Sequence, residues 1–320
     1  MSATPRTTTL RPADIPARAA DVSTQALASG ALEPLPTRVE IVEHGGVRFQ
    51  LRVLDSLWRK QRAEAKQRAR AVRGEPCDPF GPCDPSLLLG DLSPSHCCVL
   101  NKFPALGWHL LIVTRCMEAQ ENLLNIADFE ALWLGLQGVN GLAFYNGGPI
   151  AGASQPHKHL QLIPTPMHPG EPNVPMHARL AHAELRGGIG RAPGLPFEHA
   201  MTPLSPELLA DPRQAAVASL GRYHRLLAAV GLPRHPGQPQ QAGPYNLLMT
   251  RHWMMVIPRS REDWLGCSVN ALGYAGSLLA RDEAELEHMR RTGPMALLAH
   301  TGITRNVPRA GGPTDPGCVG

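Results

Sequence analysis

Apolar and polar positions alternate along much of the first half of the chain. Residues 39–53 alternate on both sides of Gly45-Gly46, which predicts a β-hairpin with a tight turn. Residues 54–72 are rich in Ala, Arg, Gln, Glu and Lys, which favour helix. Shorter apolar runs predict strands at residues 97–100, 109–114 and 142–145, with a helix at residues 127–139.

The second half begins with a segment dense in Pro, Gly and His. Residues 164–206 predict a long excursion over the surface, with one helix near residues 176–185. A helix over 206–230 and a linker over 233–244 follow. The pattern then predicts strands at 245–250 and 253–257 and helices near 272–279 and 283–291. Pairs of strands joined by short turns favour an α+β fold, an antiparallel sheet with flanking helices.

Composition excludes several classes of protein. The chain has 320 residues, of which 43% are hydrophobic, and no apolar run approaches the roughly 20 residues that span a bilayer. A net charge of +4 and an aromatic content of 5% are too low to indicate nucleic-acid binding. The N-terminus lacks the apolar segment of a secretory signal. We therefore expect a cytoplasmic protein with no membrane and no nucleic-acid partner.

The seven cysteines follow no spacing typical of a secreted disulfide framework. Free thiols in a loop are one interpretation. Structural zinc held by Cys77 and Cys83 with a histidine such as His157 is another, although five intervening residues are a poor ligand spacing.

Candidate chemistry concentrates in one continuous segment. Residues 146–156 read NGGPIAGASQP, a glycine-rich turn whose backbone N–H groups can approach an anion without side-chain obstruction. A strand, HKHLQLI at residues 157–163, follows directly. On a strand His157, His159 and Gln161 share one face, while Lys158, Leu160 and Leu162 share the other.

Two imidazoles and a carboxamide in a row are unfavourable in an apolar core, because a buried polar group without a partner costs a few kcal/mol. Imidazole is a competent nucleophile near neutral pH when one ring nitrogen is free and the other is hydrogen-bonded. Gln161 can donate a hydrogen bond to a phosphate oxygen but cannot act as a general acid or base. The polar face therefore predicts nucleophilic attack on a phosphate, with a phosphate cradle beside the nucleophile.

The segment NGGPIAGASQPHKHLQ at residues 146–161 closely resembles the active-site strand of the diadenosine tetraphosphate phosphorylases, or ATP adenylyltransferases, of the histidine-triad superfamily. The resemblance covers most of residues 23–300 and also rests on six segments: 26–32 (ALASGAL), 100–104 (LNKFP), 109–115 (HLLIVTR), 245–250 (YNLLMT), 253–260 (WMMVIPRS) and 270–276 (NALGYAG). It implies a histidine-triad-like antiparallel sheet.

The resemblance implies roles for individual residues. His159 would be the nucleophile, His157 and its backbone would fix the His159 ring, and Gln161 would contact the transferred phosphate. The phosphate chain would be held by Asn146, Gly152, Ala153, Ser154 and Gln155. Further substrate contacts would come from Lys60, Gly90, Asp91, Asn246, Thr250 and Arg251. His109, within an apolar strand, is expected to be a packed core histidine.

Five segments are expected along the chain. They are a flexible tail over 1–22, a catalytic region over 23–165, a variable helical and loop excursion over 166–244, a C-terminal αβ part completing the substrate site over 245–300, and a flexible tail over 301–320.

The reaction that this resemblance implies has two steps. His159 attacks an α-phosphate of diadenosine tetraphosphate (Ap4A) and expels ATP, and inorganic phosphate then attacks the adenylyl-histidine to give ADP. Nucleotides and phosphate are the expected partners of a monomer or small homo-oligomer. No tightly bound cofactor is expected. Magnesium ordinarily neutralises a polyphosphate, yet the sequence shows no carboxylate cage for a metal.

Three other functions remain open. A histidine-triad hydrolase would use water as acceptor, but such enzymes carry a third histidine at the position of Gln161. A hexose-1-phosphate uridylyltransferase has a proline after each histidine, where this chain has Lys158 and Leu160. A nucleotide sensor would keep the cradle without turnover.

Overall fold

The computed structural model describes residues 9–55, 80 and 83–305. Its helices are α1 (Ile15–Ser29), α2 (Ile126–Gly138), α3 (His177–Leu180), α4 (Pro212–Ala229), α5 (Ala271–Ala275), α6 (Glu283–Thr292) and α7 (Pro294–Thr301). Its strands are β1 (Thr37–His44), β2 (Val47–Leu54), β3 (Leu88–Ser93), β4 (His96–Leu100), β5 (Leu110–Thr114), β6 (Gly141–Gly147), β7 (His159–Pro164), β8 (Glu184–Arg186), β9 (Ile189–Arg191), β10 (Ala200–Pro203), β11 (Tyr245–Met249), β12 (Trp253–Pro258), β13 (Asp263–Trp264), β14 (Cys267–Ser268) and β15 (Ser277–Ala280).

A ten-stranded sheet forms the centre of the molecule, in the order β3-β4-β5-β7-β6-β11-β12-β10-β9-β8. Every neighbouring pair in it is antiparallel. The expected α+β fold with a large antiparallel sheet is therefore confirmed. Strand β7, which carries His159 and Gln161, lies between β5 and β6 and is buried on both faces.

Two apolar layers cover the sheet. On one face helix α2 packs over β3, β6 and β7, α1 lies against β3, and α4 packs on β10 and β12. Leu110, Ile112, Leu160 and Leu162 belong to the core that these helices cover. On the other, the small sheet β1-β2-β15 and helices α5 to α7 pack against β6, β11 and β12. The alternation predicted for strand β7 is observed, because its leucines face the helices while His159 and Gln161 line a cavity on the opposite side.

The N-terminal region is more ordered than the sequence suggested. Residues 1–22 were expected to form a flexible tail, but helix α1 begins at Ile15, and Thr9 forms a β-bridge with Asp91. Ile15, Ala19 and Val22 are buried against the sheet. Although the start of the chain is polar in composition, helix α1 has one apolar face, and this face packs against the rest of the core.

The excursion over 166–244 also differs from expectation. It contributes strand β10 to the central sheet, paired with β12, and its first helix, α3, has one turn instead of the predicted ten residues. The helix predicted at 272–279 ends at Ala275, because Gly276 adopts φ 102° and the chain continues as β15 beside β2. The predicted helix over 54–72 lies, from residue 56 onward, outside the described residues.

At the C-terminus, Gly302 and Thr304 form β-bridges with Arg259 and Phe197, respectively. The first residues of the expected flexible tail over 301–320 are therefore paired with the rest of the fold, and residues 306–320 lie outside the described residues. None of the helices in the described ranges is long and apolar enough to span a bilayer.

Candidate active site

A cavity of about 440 Å³ opens on the face of strands β4 to β7 that carries His159. It is large enough for a nucleotide. Six residues singled out in the sequence line it together: Asn146, Gly152, Ser154, Gln155, His159 and Gln161. Its remaining walls come from Phe80 and residues 83–87 before β3, from β4, β5 and the loop after β4, and from Asn270.

The glycine-rich turn connects β6 to β7 at the rim of this cavity. Gly148 and Gly152 have φ values of 87° and 91°, a region that favours glycine. A Cβ atom on Gly152 would lie 2.7 Å from the Cβ of Asn270. The glycine lets the backbone of the turn pass against helix α5 while it still faces the cavity.

The ring of His159 is buried and has a defined hydrogen-bond pattern. Its Nδ1 lies 2.8 Å from the carbonyl oxygen of His157, so Nδ1 carries the proton and donates it. Among the described residues Nε2 has no hydrogen-bond partner, and it therefore keeps a free lone pair. Burial lowers the pKa of His159, against the opposing effect of the bond to His157. The net lowering favours a neutral ring, and the bond to His157 leaves the free lone pair of that ring on Nε2.

The structure shows that a buried glutamine, Gln120, holds the two central strands in place. Its Nε2 donates to the carbonyl oxygens of Asn146 at 2.8 Å and His159 at 3.3 Å. Its Oε1 accepts from the His159 backbone N–H at 2.9 Å. Sequence reasoning missed this residue, since an isolated glutamine in a loop carries no spacing signal.

Two carboxamides face the cavity, and their oxygens are occupied by the protein. Asn146 Oδ1 accepts from Asn246 Nδ2 at 2.9 Å and from the Ala271 N–H at 3.0 Å. Gln161 Oε1 lies 2.8 Å from His109 Nε2. Within the described part of the chain neither amide nitrogen has a hydrogen-bond partner, so both NH₂ groups are available to an anion.

His157 lies just before strand β7 and does not line the cavity. Its Nε2 contacts the carbonyl oxygen of Thr114 at 2.8 Å and the Thr114 hydroxyl at 3.0 Å. It is the carbonyl of His157, and not its ring, that contacts the His159 ring. The next residue, Lys158, is fully buried on the helix side and pairs with Asp128 at 2.7 Å.

Other predicted contacts lie outside this cavity. Asn246 is buried behind it, where its Nδ2 bonds to Asn146 and to the carbonyl of Ala151. Ala153 is part of the turn but is not among the lining residues. Both residues shape the site from behind the cavity wall.

Thr250 and Arg251 follow the far end of β11, roughly 13 Å along the strand from Asn246. Thr250 Oγ1 accepts from the backbone of the β11–β12 turn. Arg251 donates to the carbonyl of Leu136 at the C-terminal end of α2. These local bonds account for both residues, and the structure does not bring them to His159.

Gly90 and Asp91 lie on edge strand β3, three strand spacings or roughly 14 Å from β7. Asp91 forms an ion pair with Arg115, and Gly90 lines a separate depression beside α1. The structure does not join either residue to the His159 cavity. Lys60 lies outside the described residues.

His109 was expected to be a packed core histidine; it is buried, but it is not part of the apolar core. It lies in the wall of the cavity beside Gln161. His109 directly precedes β5, whose five residues are all buried. This apolar run made a core position the natural prediction for His109.

The proposed zinc ligands are only partly visible. Cys83 Sγ lies 3.0 Å from Cys97 Sγ, and Cys77 falls outside the described residues. No group of three or more His, Cys, Asp or Glu side chains is arranged to hold a metal ion within residues 9–55, 80 and 83–305. Zinc binding therefore stays a prediction.

Comparison with known proteins identifies the family of the chain. Residues 5–182 match the Ap4A phosphorylase N-terminal domain, and residues 193–304 match the ATP adenylyltransferase C-terminal domain. Diadenosine 5',5'''-P1,P4-tetraphosphate phosphorylase 2 of Saccharomyces cerevisiae is 29% identical over 66% of this chain and 71% of its own length.

Solved structures show the same fold. Yeast Ap4A phosphorylase Apa2 covers 92% of this chain and 96% of its own, with 22% identity and a TM-score of 0.73. Its complex with Ap4A covers 92% of this chain and 99% of its own, at 21% identity and a TM-score of 0.68. With more than half of its length matched by the first domain alone, the chain belongs to the Ap4A phosphorylase family.

Proposed function

We propose that this nucleotidyltransferase cleaves Ap4A with inorganic phosphate to ATP and ADP, through a covalent adenylyl-histidine on His159. The observation that carries the proposal is the hydrogen bond from His159 Nδ1 to the His157 carbonyl. It fixes the tautomer and leaves the Nε2 lone pair free in the cavity that the amide NH₂ groups of Asn146 and Gln161 also face. Membership of the Ap4A phosphorylase family supports the substrate.

In the first step Nε2 of His159 attacks one α-phosphorus of Ap4A. A P–N bond forms, the P–O bond to the remaining triphosphate breaks, and ATP leaves with the electron pair. The amide NH₂ groups of Asn146 and Gln161 donate to the phosphoryl oxygens. Donors placed in advance where charge develops are among the largest contributions to catalysis.

In the second step an oxygen of inorganic phosphate attacks the adenylyl phosphorus. A new P–O bond forms, the P–N bond breaks, and ADP and free His159 are released. Residues 152–155 of the glycine-rich turn supply backbone donors for the phosphate groups at the rim of the cavity. Magnesium, in this proposal, enters with the polyphosphate, and the cytoplasm is the expected compartment.

Phosphate, and not water, is the proposed acceptor because of Gln161. A carboxamide offers water no proton acceptor and the leaving group no proton. The oxygen of Gln161 is already hydrogen-bonded to His109, so the group that Gln161 presents to the transferred phosphate is its NH₂, a donor.

The proposal is tested by incubating the protein with Ap4A and radiolabelled phosphate. Label should appear in ADP. In a parallel reaction without phosphate, a quench in alkaline denaturant should trap labelled adenylyl-protein from Ap4A labelled in the adenine, because the P–N bond to histidine survives alkali but not acid. Formation of AMP and ATP without phosphate would identify a hydrolase instead. Absence of any turnover would identify a sensor.

His159→Ala should abolish both the adduct and turnover. His199→Ala is a matched control, because His199 is also buried and its Nδ1 also contacts the carbonyl two residues earlier, that of Phe197. Its Nε2, however, accepts from the Ala192 N–H. H199A should still form the adduct, and an adduct on the H159A protein would assign the nucleophile to another residue.

A further inference from the structure

A chain of three hydrogen bonds leads from the backbone to Gln161. The Phe103 N–H lies 3.1 Å from Asn101 Oδ1. Asn101 Nδ2 lies 3.0 Å from His109 Nδ1. His109 Nε2 lies 2.8 Å from Gln161 Oε1.

The direction of every bond in this chain follows from its first donor. A backbone N–H can only donate, so the atom of Asn101 that faces Phe103 is the oxygen and the NH₂ faces His109. An amide NH₂ can only donate, so His109 Nδ1 carries a lone pair. A neutral imidazole then has its proton on Nε2 and donates to Gln161. The atom of Gln161 that faces His109 is therefore its oxygen, and the NH₂ faces the cavity.

We propose that Asn101 and His109 are positioning residues, which hold Gln161 with its amide NH₂ toward the transferred phosphate. The inference rests on the proposed function, since it assigns a use to that NH₂. If the chain of bonds were reversed, the Gln161 oxygen would face an anionic phosphate oxygen, and a charge-assisted hydrogen bond would be replaced by repulsion.

Burial supports this assignment, since it holds His109 in the neutral form that the chain requires. Desolvation and, to a smaller extent, the nearby His159 lower the pKa of His109 to about 4, against the opposing effect of the hydrogen bond to Gln161. The same cavity is lined by Asp84 and Lys102 in addition to His159, and the Phe144 ring packs against the imidazole. An imidazolium would place a second N–H against the NH₂ of Asn101, so the chain operates with His109 neutral.

The substitution Asn101→Asp tests the direction of the chain. A carboxylate still accepts from the Phe103 N–H, but it cannot donate to His109. The His109 proton then moves to Nδ1, Nε2 becomes an acceptor, and the Gln161 amide turns over. We expect kcat at pH 8 to fall roughly ten- to hundredfold, the worth of one hydrogen bond to a charged group.

A pH profile separates this effect from a structural one. The new carboxylate favours an imidazolium, which donates from both nitrogens and restores the Gln161 orientation. The ratio of N101D to wild-type kcat should therefore rise as the pH is lowered from 8 to 6. A ratio that stays flat over that range would overturn the proposal.

A double-mutant cycle separates it from simple charge repulsion in the cavity. In a Gln161→Ala background there is no carboxamide to orient, so adding Asn101→Asp or the volume-matched His109→Leu should leave kcat unchanged. A loss as large as in the wild-type background would show that both residues act on something other than Gln161. The N101D protein remains a sufficient test if H109L does not fold.

Failure of the proposed function has a different signature. In that case wild-type protein would not convert Ap4A and phosphate to ATP and ADP through His159. Wild-type activity accompanied by wild-type kcat in N101D and H109L would refute the positioning role alone.

Discussion

Asp128→Asn should destabilise the protein strongly, although it changes only one side-chain atom. The Asp128 carboxylate is fully buried and contacts two side chains: Lys158 Nζ at 2.7 Å and His96 Nε2 at 3.0 Å. It also accepts from the backbone N–H of Asn125 in the capping box of α2. Asparagine would present an NH₂ group toward one of these donors.

The size of the destabilisation depends on the charge of Lys158, which stays buried when the Asp128 carboxylate is removed. Removing one partner of a buried ion pair costs about 3–5 kcal/mol, because the other charge stays buried without compensation. Lys158 keeps Glu118 at 3.1 Å, which is partly exposed and compensates in part. We therefore expect a loss of about 3 kcal/mol, a large fraction of the 5–15 kcal/mol that is typical of folded domains.

The assay is urea unfolding of D128N at pH 7, with D211N as its matched control. Asp211 also caps a helix, α4, by accepting from the N–H groups of Arg213 and Gln214, but it is exposed and forms no ion pair with any described residue. Because asparagine is an equally good N-cap, D211N should change the free energy of unfolding by less than about 0.5 kcal/mol. Equal midpoints for the two variants would refute the reasoning.

The effect should also depend on pH. Burial alone would raise the pKa of Asp128, but the His96 hydrogen bond and the Lys158 charge outweigh it and hold the pKa below its usual value. A carboxyl with a lowered pKa stabilises the folded state above its unfolded pKa of about 3.9, and that contribution is lost as the pH falls through the folded value. The difference between wild type and D128N should therefore narrow below about pH 4.

Three further predictions concern the site itself. Because burial lowers the pKa of His159, its ring stays neutral on acidification, and the rate of adduct formation in single-turnover experiments should not fall until the pH is below 6.5. Gln120→Glu removes the donors to the Asn146 and His159 carbonyls and buries a charge, so kcat should fall more than tenfold, as measured by ADP release under saturating substrate. Gly152→Ala places a Cβ 2.7 Å from Asn270 at φ 91°, and this strain, of about 1–3 kcal/mol, should raise the KM for Ap4A with a smaller effect on kcat.

The parts of the fold that were predicted from sequence are those set by local pattern. The hairpin at Gly45-Gly46, strand β4 and helix α2 follow alternation, apolar runs and helix propensity, and each was predicted within a few residues of its true bounds. Strand β10 was missed because its four residues carry no clear local pattern. They form a strand by pairing with β12, some 50 positions later. The end of α5 at Gly276 was missed for a similar reason: the continuation as β15 is stabilised by pairing with β2.

The candidate catalytic segment was visible in sequence because the proposed nucleophile, phosphate cradle and amide donor are contiguous, whereas the residues proposed to orient them are not. Gln120, Asn101 and His109 come from separate loops and strands and are single polar residues without a motif. These residues select one state of each group in the site. A neutral imidazole has two tautomers, and only one of them leaves the lone pair of His159 on Nε2. A carboxamide has two orientations, and only one of them turns the NH₂ of Gln161 toward the cavity. A pattern of residue types specifies which groups are present, but it does not specify which atom of each group faces the substrate. That second specification needs a group that can only donate or only accept. Here the Phe103 N–H is the fixed donor and the backbone carbonyl of His157 is the fixed acceptor, and no side-chain substitution can reverse the polarity of either peptide group.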